Sequence, residues 1–374
     1  MNDEAWPEPD RSGDAPHPRE TAALFGQARA EAEFLEAFNS DRLHHGWLIS
    51  GPKGIGKATL AWKIARFLLS QPVDAGADMF GDPVKPTDLS TPEDHGVMRR
   101  TRALAEPQLF LLRRGWDDKG KKLKTQITVD EARKLKSFFQ LSAPDGGRRV
   151  VIVDAADELN VAAANAILKV LEEPPARTYL LLVTHQRSRL LPTIRSRCRD
   201  LRCDPLGAAD LEQAVVQAGG EAEAARANTA LAGGSVGMAL RLSEMGGADH
   251  YKSLVNLAGS MPRLDREGAI ALADRVKGKG GDELFTLYLE LFDQMLARLA
   301  RSGVAALDQD AAGGAEAEVF ARLCPDAHAA QVWAALHHEM GERARRGRAV
   351  NLDASSLILD MILKMNDTAS GLAK

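Results

Sequence analysis

Residues 148–198 read RRVVIVDAADELNVAAANAILKVLEEPPARTYLLLVTHQRSRLLPTIRSRC, and the order of apolar runs and breakers in them decides the fold. Val150 to Val153 is a short β-branched run closed by Asp154, the layout of a Walker B strand, which delivers a carboxylate to a nucleotide-bound metal. Asn160 can cap the helix that follows, where Ala164, Ile167, Leu168 and Leu171 recur at helical spacing. Pro174 and Pro175 end it, because proline has no amide donor and clashes with the preceding turn. Tyr179 to Val183 is continuously apolar, as a central parallel strand buried on both faces should be. Thr184 closes that strand at its carboxyl end, where open α/β sheets place functional groups. A loop then leads to Ser196, Arg197 and Cys198.

Upstream, Trp47 to Ile49 is a second short buried strand running into Gly51-Pro52-Lys53-Gly54-Ile55-Gly56-Lys57. With Leu60, Ile64, Phe67 and Leu68 marking a helix behind it, this is a P-loop by spacing and by context. Gly51, Gly54 and Gly56 let backbone amides curl around phosphates, and Lys57 brings a point charge to the β/γ oxygens. The position after the lysine should carry a hydroxyl for Mg²⁺, and it is Ala58. Thr59 follows, but one residue along a helix points about 100° away. Two readings stay open: a working ATP site, or a loop that keeps the shape and binds nucleotide weakly or not at all.

The bulk properties bound the rest. At 374 residues, two or three domains are expected. The net charge of −4 excludes a uniformly basic nucleic-acid coat protein, so any DNA contact must be local. Three cysteines, Cys198, Cys203 and Cys324, make neither a paired framework nor a metal spacing, which points to a reducing cytoplasm. No run of 18 apolar residues suggests a membrane helix, and the acidic, proline-rich start is unlike a signal peptide.

In chain order, residues 1–20 read as a disordered lead-in and 21–45 as helical around Leu24, Phe25, Phe34, Leu35 and Phe38. Residues 71–106 read as a loop-like insertion and Leu109 to Leu112 as a strand. The basic stretch Arg113, Arg114, Lys119, Lys121, Lys122 and Lys124 fits a solvated loop or a DNA-backbone contact. Thr128 and Glu131 form a capping box that opens a helix through Phe139. Beyond Cys203 short helices dominate to Met245, with Ser235 a natural cap. The remainder reads as amphipathic helix over Leu284 to Leu299, Ala329 to His338 and Leu357 to Met365, interrupted near 303–316.

Taken together, Gly51 to Lys57, Asp154, the run from Ala163 to Pro175, and Ser196-Arg197-Cys198 resemble bacterial clamp-loader subunits of the AAA+ class. The motifs cover about residues 20–245, and the helical tail agrees by layout only. The implied fold is an α/β P-loop AAA+ domain over 21–204, a parallel sheet with helices on both faces. A small helical lid over 205–246 and an all-α collar domain over 247–374 follow.

Within the family the pattern resembles the delta-prime branch rather than the ATP-hydrolysing gamma/tau subunits. Motor subunits carry Asp-Glu at the end of the Walker B strand, where this chain has Asp154-Ala155, and alanine cannot serve as a general base. The motor lid carries Gly-Ser-x-Arg, and here the stretch is Gly234-Ser235-Val236-Gly237. With Ala58 these make three departures around one site, so little or no intrinsic ATPase is implied, and no polymerase site lies in this chain. Gly51, Gly54, Gly56, Lys57, Thr59, Asp154 and Thr184 would then form a degenerate site holding ATP or ADP weakly.

In relatives the arginine matching Arg197 reaches the γ-phosphate of a neighbouring subunit; the alternative is a local carboxylate partner. Ser196 and Cys198 pack its loop, and Arg195 and Arg199 are surface charges or members of the same interface. Many relatives carry a four-cysteine zinc module where this chain has 71–106, a stretch without cysteine, so no zinc or other metal is expected. The resemblance implies gamma/tau and delta subunits as partners, with the sliding clamp and primed DNA reached through the assembly in the cytoplasm. The alternative is an active gamma/tau-type ATPase using Thr59 with Asp157 or Glu158.

Overall fold

The computed structural model describes residues 8–11, 15–40, 42–72, 85–117, 122–140, 147–278, 280–305, 311, 314–349 and 352–373. The chain divides into two compact units, one of residues 1–219 with 234–237, the other of 220–233 with 238–374. The segment expected as a separate lid, 205–246, is thus shared between them.

In the first unit the main sheet is built from β1 (Gly46–Ser50), β2 (Leu109–Arg113), β5 (Arg149–Asp154), β6 (Thr178–Thr184) and β7 (Arg199–Arg202). Its order is β2-β5-β6-β1-β7 and every pairing is parallel. A separate antiparallel pair, β3 (Trp116–Asp117) with β4 (Lys122–Leu123), stands in the basic stretch. The helices are α1 (Ala28–Asn39), α2 (Lys57–Ser70), α3 (Gly96–Arg102), α4 (Val129–Gln140), α5 (Val161–Glu172), α6 (Pro192–Arg195) and α7 (Ala208–Gln217).

Alternate strand residues point to opposite faces, and here each set enters a different core. Trp47, Ile49, Val150, Ile152, Leu181 and Val183 pack with Phe34 of α1 and Trp62 and Phe67 of α2. Leu48, Val151, Val153, Leu180 and Leu182 pack with Leu135 and Phe138 of α4 and Ile167 of α5. Helices therefore cover both faces, which is why the central strands read as unbroken apolar runs. This is the expected α/β architecture, a parallel sheet with helices on both faces.

Two of the predicted caps form. Asn160 Oδ1 accepts from the N–H of Ala163 at 2.8 Å, and Glu131 Oε2 accepts from the N–H of Thr128 at 3.0 Å.

Three expectations need correction. Helix does not fill 21–45: α1 starts only at Ala28, because Gly26 is left-handed (φ 69°) and the buried Gln27 amide donates to the carbonyls of Ile55 (3.0 Å) and Asp204 (2.9 Å). The 71–106 stretch contains α3, capped by His95 Nδ1 accepting from the N–H of Val97; residues 73–84 lie outside the described residues.

The third correction concerns the lead-in, which over 8–11 and 15–20 is a bound strap rather than a disordered tail. Glu8 pairs with Arg19 (2.6 Å) and Arg113 (3.3 Å), Asp10 with Arg113 and His17 (3.0 Å), and Arg19 donates to the carbonyl of Arg102 (3.0 Å). His17 is fully buried, edge-on to Trp62. The composition reads as solvated because Arg113, which both acids share, lies about a hundred residues away in sequence.

The second unit is helical: α8 (Ala222–Ala227), α9 (Thr229–Ala232), α10 (Val236–Glu244, entering from the first unit), α11 (Gly247–Gly259), α12 (Arg266–Asp274), α13 (Gly281–Ser302), α14 (Ala315–Leu323), α15 (Ala327–Ala349) and α16 (Ala354–Leu372). Leu287, Leu291, Phe292, Met295 and Leu299 of α13 are buried. A buried ion pair crosses its core, Arg298 Nε to Glu316 Oε1 at 2.7 Å and Nη2 to Oε2 at 2.8 Å. The hydroxyl of Tyr251 and the N–H of Ala311 also donate to Glu316. Among the described residues no helix is long and apolar enough to cross a membrane.

Candidate functional site

Parallel strands bring their carboxyl ends to one edge, so the P-loop after β1, Asp154 ending β5 and Thr184 ending β6 converge there. Ser50 is in register with Thr184, and Asp154 with Val183. Gly54 (φ 80°) and Gly56 (φ 95°) adopt the left-handed backbone a cradle of amides requires.

The side chains of this cradle are already engaged. Lys57 is 2% exposed and its ammonium donates to the carbonyl of Pro52. Burial pulls its pKa down to about 8, against the acids Cys203, Asp154 and Asp157. Asp154 is pushed up to about 7, first by burial and then by the negative charges of Asp10 and Glu158, with Lys57 opposing. Both shifts favour the neutral forms, so desolvation outweighs the attraction between them. The backbone loop fits a phosphate, whereas no hydroxyl stands at Ala58, and Thr59 sits one position further along α2.

The acids beyond the strand end are also committed. Asp157 Oδ1 accepts from the Thr184 hydroxyl (3.0 Å) and the His185 N–H (2.8 Å). Glu158 pairs with Arg114 at 2.8 Å. His185, unforeseen in the sequence, lies beside this cluster, its pKa lowered to about 4 by burial and then by Lys57. Its Nδ1 has no hydrogen-bond partner among the described residues. No local signal marks such a histidine, because only the sheet brings it near Lys57.

The turn at 234–237 lies against the P-loop. The N–H of Leu206 donates to the carbonyl of Gly234 at 3.2 Å, and that of Val236 to the carbonyl of Gly54. A Cβ on Gly54 would stand 2.2 Å from the Ser235 hydroxyl. The turn contributes no cation, since Gly237 stands at the position in question.

Arg197 is elsewhere. Arg199, two residues on, is in register with Trp47 near the start of β1, so Arg197 occupies the amino-terminal edge of the sheet, opposite its own P-loop. Its backbone N–H bonds the carbonyl of Ile194 (3.1 Å), and the loop leans on Gly46, where a Cβ would lie 3.2 Å from the Arg197 carbonyl oxygen. The guanidinium is 39% exposed, with Nη2 3.0 Å from Glu172 Oε1 and Nη1 donating to the carbonyl of Thr193 at 3.2 Å. Burial pushes the Cys198 thiol up to about 12, as for a packing residue. Arg199 stacks over Trp47 and pairs with Glu33 (3.5 Å), and Arg195 Nε is buried without a partner among the described residues.

Of the basic stretch, Arg113, Arg114 and Lys124 pair with Asp10, Glu158 and Glu131. Lys119 and Lys121 lie outside the described residues. Among the described residues no group of three or more metal-ligating side chains could hold an ion.

Comparison with known proteins adds one family match and three relatives. A family model described as DNA polymerase III, delta subunit, matches residues 26–207. DNA polymerase III subunit delta' of Pseudomonas aeruginosa is 41% identical over 209 residues, covering 54% of this chain and 56% of that protein. The Escherichia coli delta' subunit is 33% identical over 173 residues (45% and 44%), and the tau subunit of Salmonella typhimurium 25% identical over 324 residues (82% and 47%). The chain spans about half the length of the curated relatives it matches.

Proposed function

Over residues 26–207 this chain belongs to the bacterial DNA polymerase III delta-prime family of AAA+ clamp-loader subunits, and from that premise we propose that it is the clamp loader's non-motor stator, lending Arg197 to a neighbour's ATPase site. One observation carries the reading: Arg197 stands part-exposed at the sheet edge opposite its own P-loop. A strand of five residues separates the two edges by roughly 15 Å. An arginine there cannot serve its own nucleotide, but can face one bound by an adjacent subunit.

The chain's own site fits the complementary half of the proposal. A γ-phosphate, when bound, supplies the electrophile of hydrolysis. Ala155 offers no base for water, Ala58 no hydroxyl for a metal, and Gly237 no cation. Lys57 must leave the Pro52 carbonyl before it can meet a phosphate. We take ATP or ADP to bind weakly at most, and 71–106 to hold no zinc. In trans, the Arg197 guanidinium stabilises charge that develops on the transferring phosphoryl group, worth ~10³–10⁵ in rate in other NTPases. Gamma/tau and delta are the proposed neighbours, and the sliding clamp and primed DNA are met through the assembly.

An active gamma/tau-type ATPase would need Asp157 or Glu158 as base, and these carboxylates are bonded to Thr184, His185 and Arg114 instead. The test is ATP hydrolysis by gamma/tau–delta assemblies carrying this chain or its Arg197→Ala variant, beside the isolated chain. A silent isolated chain, with an assembly that still forms but turns over at least ~10-fold more slowly with Arg197→Ala, is expected. Turnover by the isolated chain, with an assembly indifferent to the substitution, overturns the reading.

A further inference from the structure

Glu172 ends α5, Arg197 follows α6, and the two meet at the amino-terminal sheet edge, where Arg197 also reaches the carbonyl of Thr193. Two features of this pair lack a stability rationale. Glu172 is 43% and Arg197 39% exposed, and ion pairs so open to water contribute little to folding. A carboxylate in the last turn of a helix also opposes the helix dipole, so α5 by itself would favour a cation there.

Resting on the finger reading above, we propose that Glu172 is the positioning residue for Arg197, gripping one side of the guanidinium so that its other donors face outward in one orientation. An unheld arginine samples many rotamers and must surrender that freedom whenever it meets a phosphate; a planar, pre-oriented fork surrenders less. Glu172 supplies the hold from α5, and the Thr193 carbonyl supplies it from α6. The loop beneath is anchored, since Ile194 is fully buried and accepts from the Arg197 N–H. The pair also makes the LEEPP and SRC segments of the sequence parts of one device. Glu172 touches no substrate; it acts through Arg197.

The experiment uses gamma/tau–delta assemblies with ATP as probe and this chain as wild type, Glu172→Gln, Glu172→Asp, Arg197→Ala or the double variant, with assembly verified by gel filtration. Glu172→Gln should lower kcat by ~2- to 5-fold with KM for ATP unchanged. Glu172→Asp should recover part of the loss, and rising salt should close the gap by screening the pair. In the Arg197→Ala background Glu172→Gln should have no further effect. Wild-type or faster turnover by Glu172→Gln, a loss that persists without Arg197, or failure to assemble each overturns the positioning role. If Arg197→Ala is itself without effect, the finger reading falls, and this proposal with it.

Discussion

The backbone N–H of Val236 donates to the carbonyl oxygen of Gly54 at 2.9 Å, which seats the 234–237 turn on the P-loop. Gly54 is left-handed at φ 80°, and a Cβ there would stand 2.2 Å from Ser235 Oγ. Gly54→Ala should therefore destabilise the chain by ~1–3 kcal/mol in urea denaturation. Adding Ser235→Gly should restore the part due to the clash and leave the part due to backbone strain. An unchanged midpoint would mean that the two segments do not pack.

Asp154 yields a pH dependence. Its folded pKa is about 7 against an ordinary 3.8, so between these values the folded state holds a proton that the unfolded state has lost. Stability therefore falls as pH rises from about 4 to 7 and levels off above. Asp154→Asn removes this cost and should stabilise the chain by ~2–4 kcal/mol at pH 8, with a smaller gain at pH 5. Denaturation across that range checks it, and destabilisation at pH 8 would show an ionised Asp154 that the fold needs.

The strap makes the opposite prediction. Burial alone would raise the Asp10 carboxyl, but bonds to His17 and Arg113 outweigh it and hold the group below its ordinary 3.8. A depressed acid contributes stability above 3.8 that is lost as pH falls through the folded pKa. Asp10→Asn should cost ~1–3 kcal/mol at pH 7, and the difference should narrow below pH 3.8. Deleting residues 1–20 should cost at least as much; an unaffected melting temperature would dismiss the strap.

In the helical unit, Glu316 is wholly buried and Arg298 is 6% exposed. Removing one partner strands a charge, so Glu316→Gln or Arg298→Met should destabilise by ~3–5 kcal/mol. Replacing both with apolar residues, as in Arg298→Met/Glu316→Leu, should cost less than either single change. Calorimetry of the three variants decides this.

The nucleotide-side edge was legible in sequence because its chemistry is local. Gly51 to Lys57, Asp154 and Thr184 each sit where a strand hands over to a turn, and the break between apolar run and glycine or acid is visible within a few residues. The same locality exposed Ala58 and Ala155. β7 escaped notice because it is a short edge strand with three polar residues around Leu201, too brief for alternation to show.

Sequence alone determined the parallel P-loop sheet, since strands buried on both faces must be continuously apolar and proline and glycine must mark their ends. Tertiary structure alone decided that Arg197 lies across the sheet from Lys57, that Glu172 holds it, and that Asp10 reaches Arg113. Those relationships join residues through strand register and packing rather than through spacing along the chain. No periodicity encodes which of the 52 aspartates and glutamates an arginine will meet until the backbone has folded to bring them together.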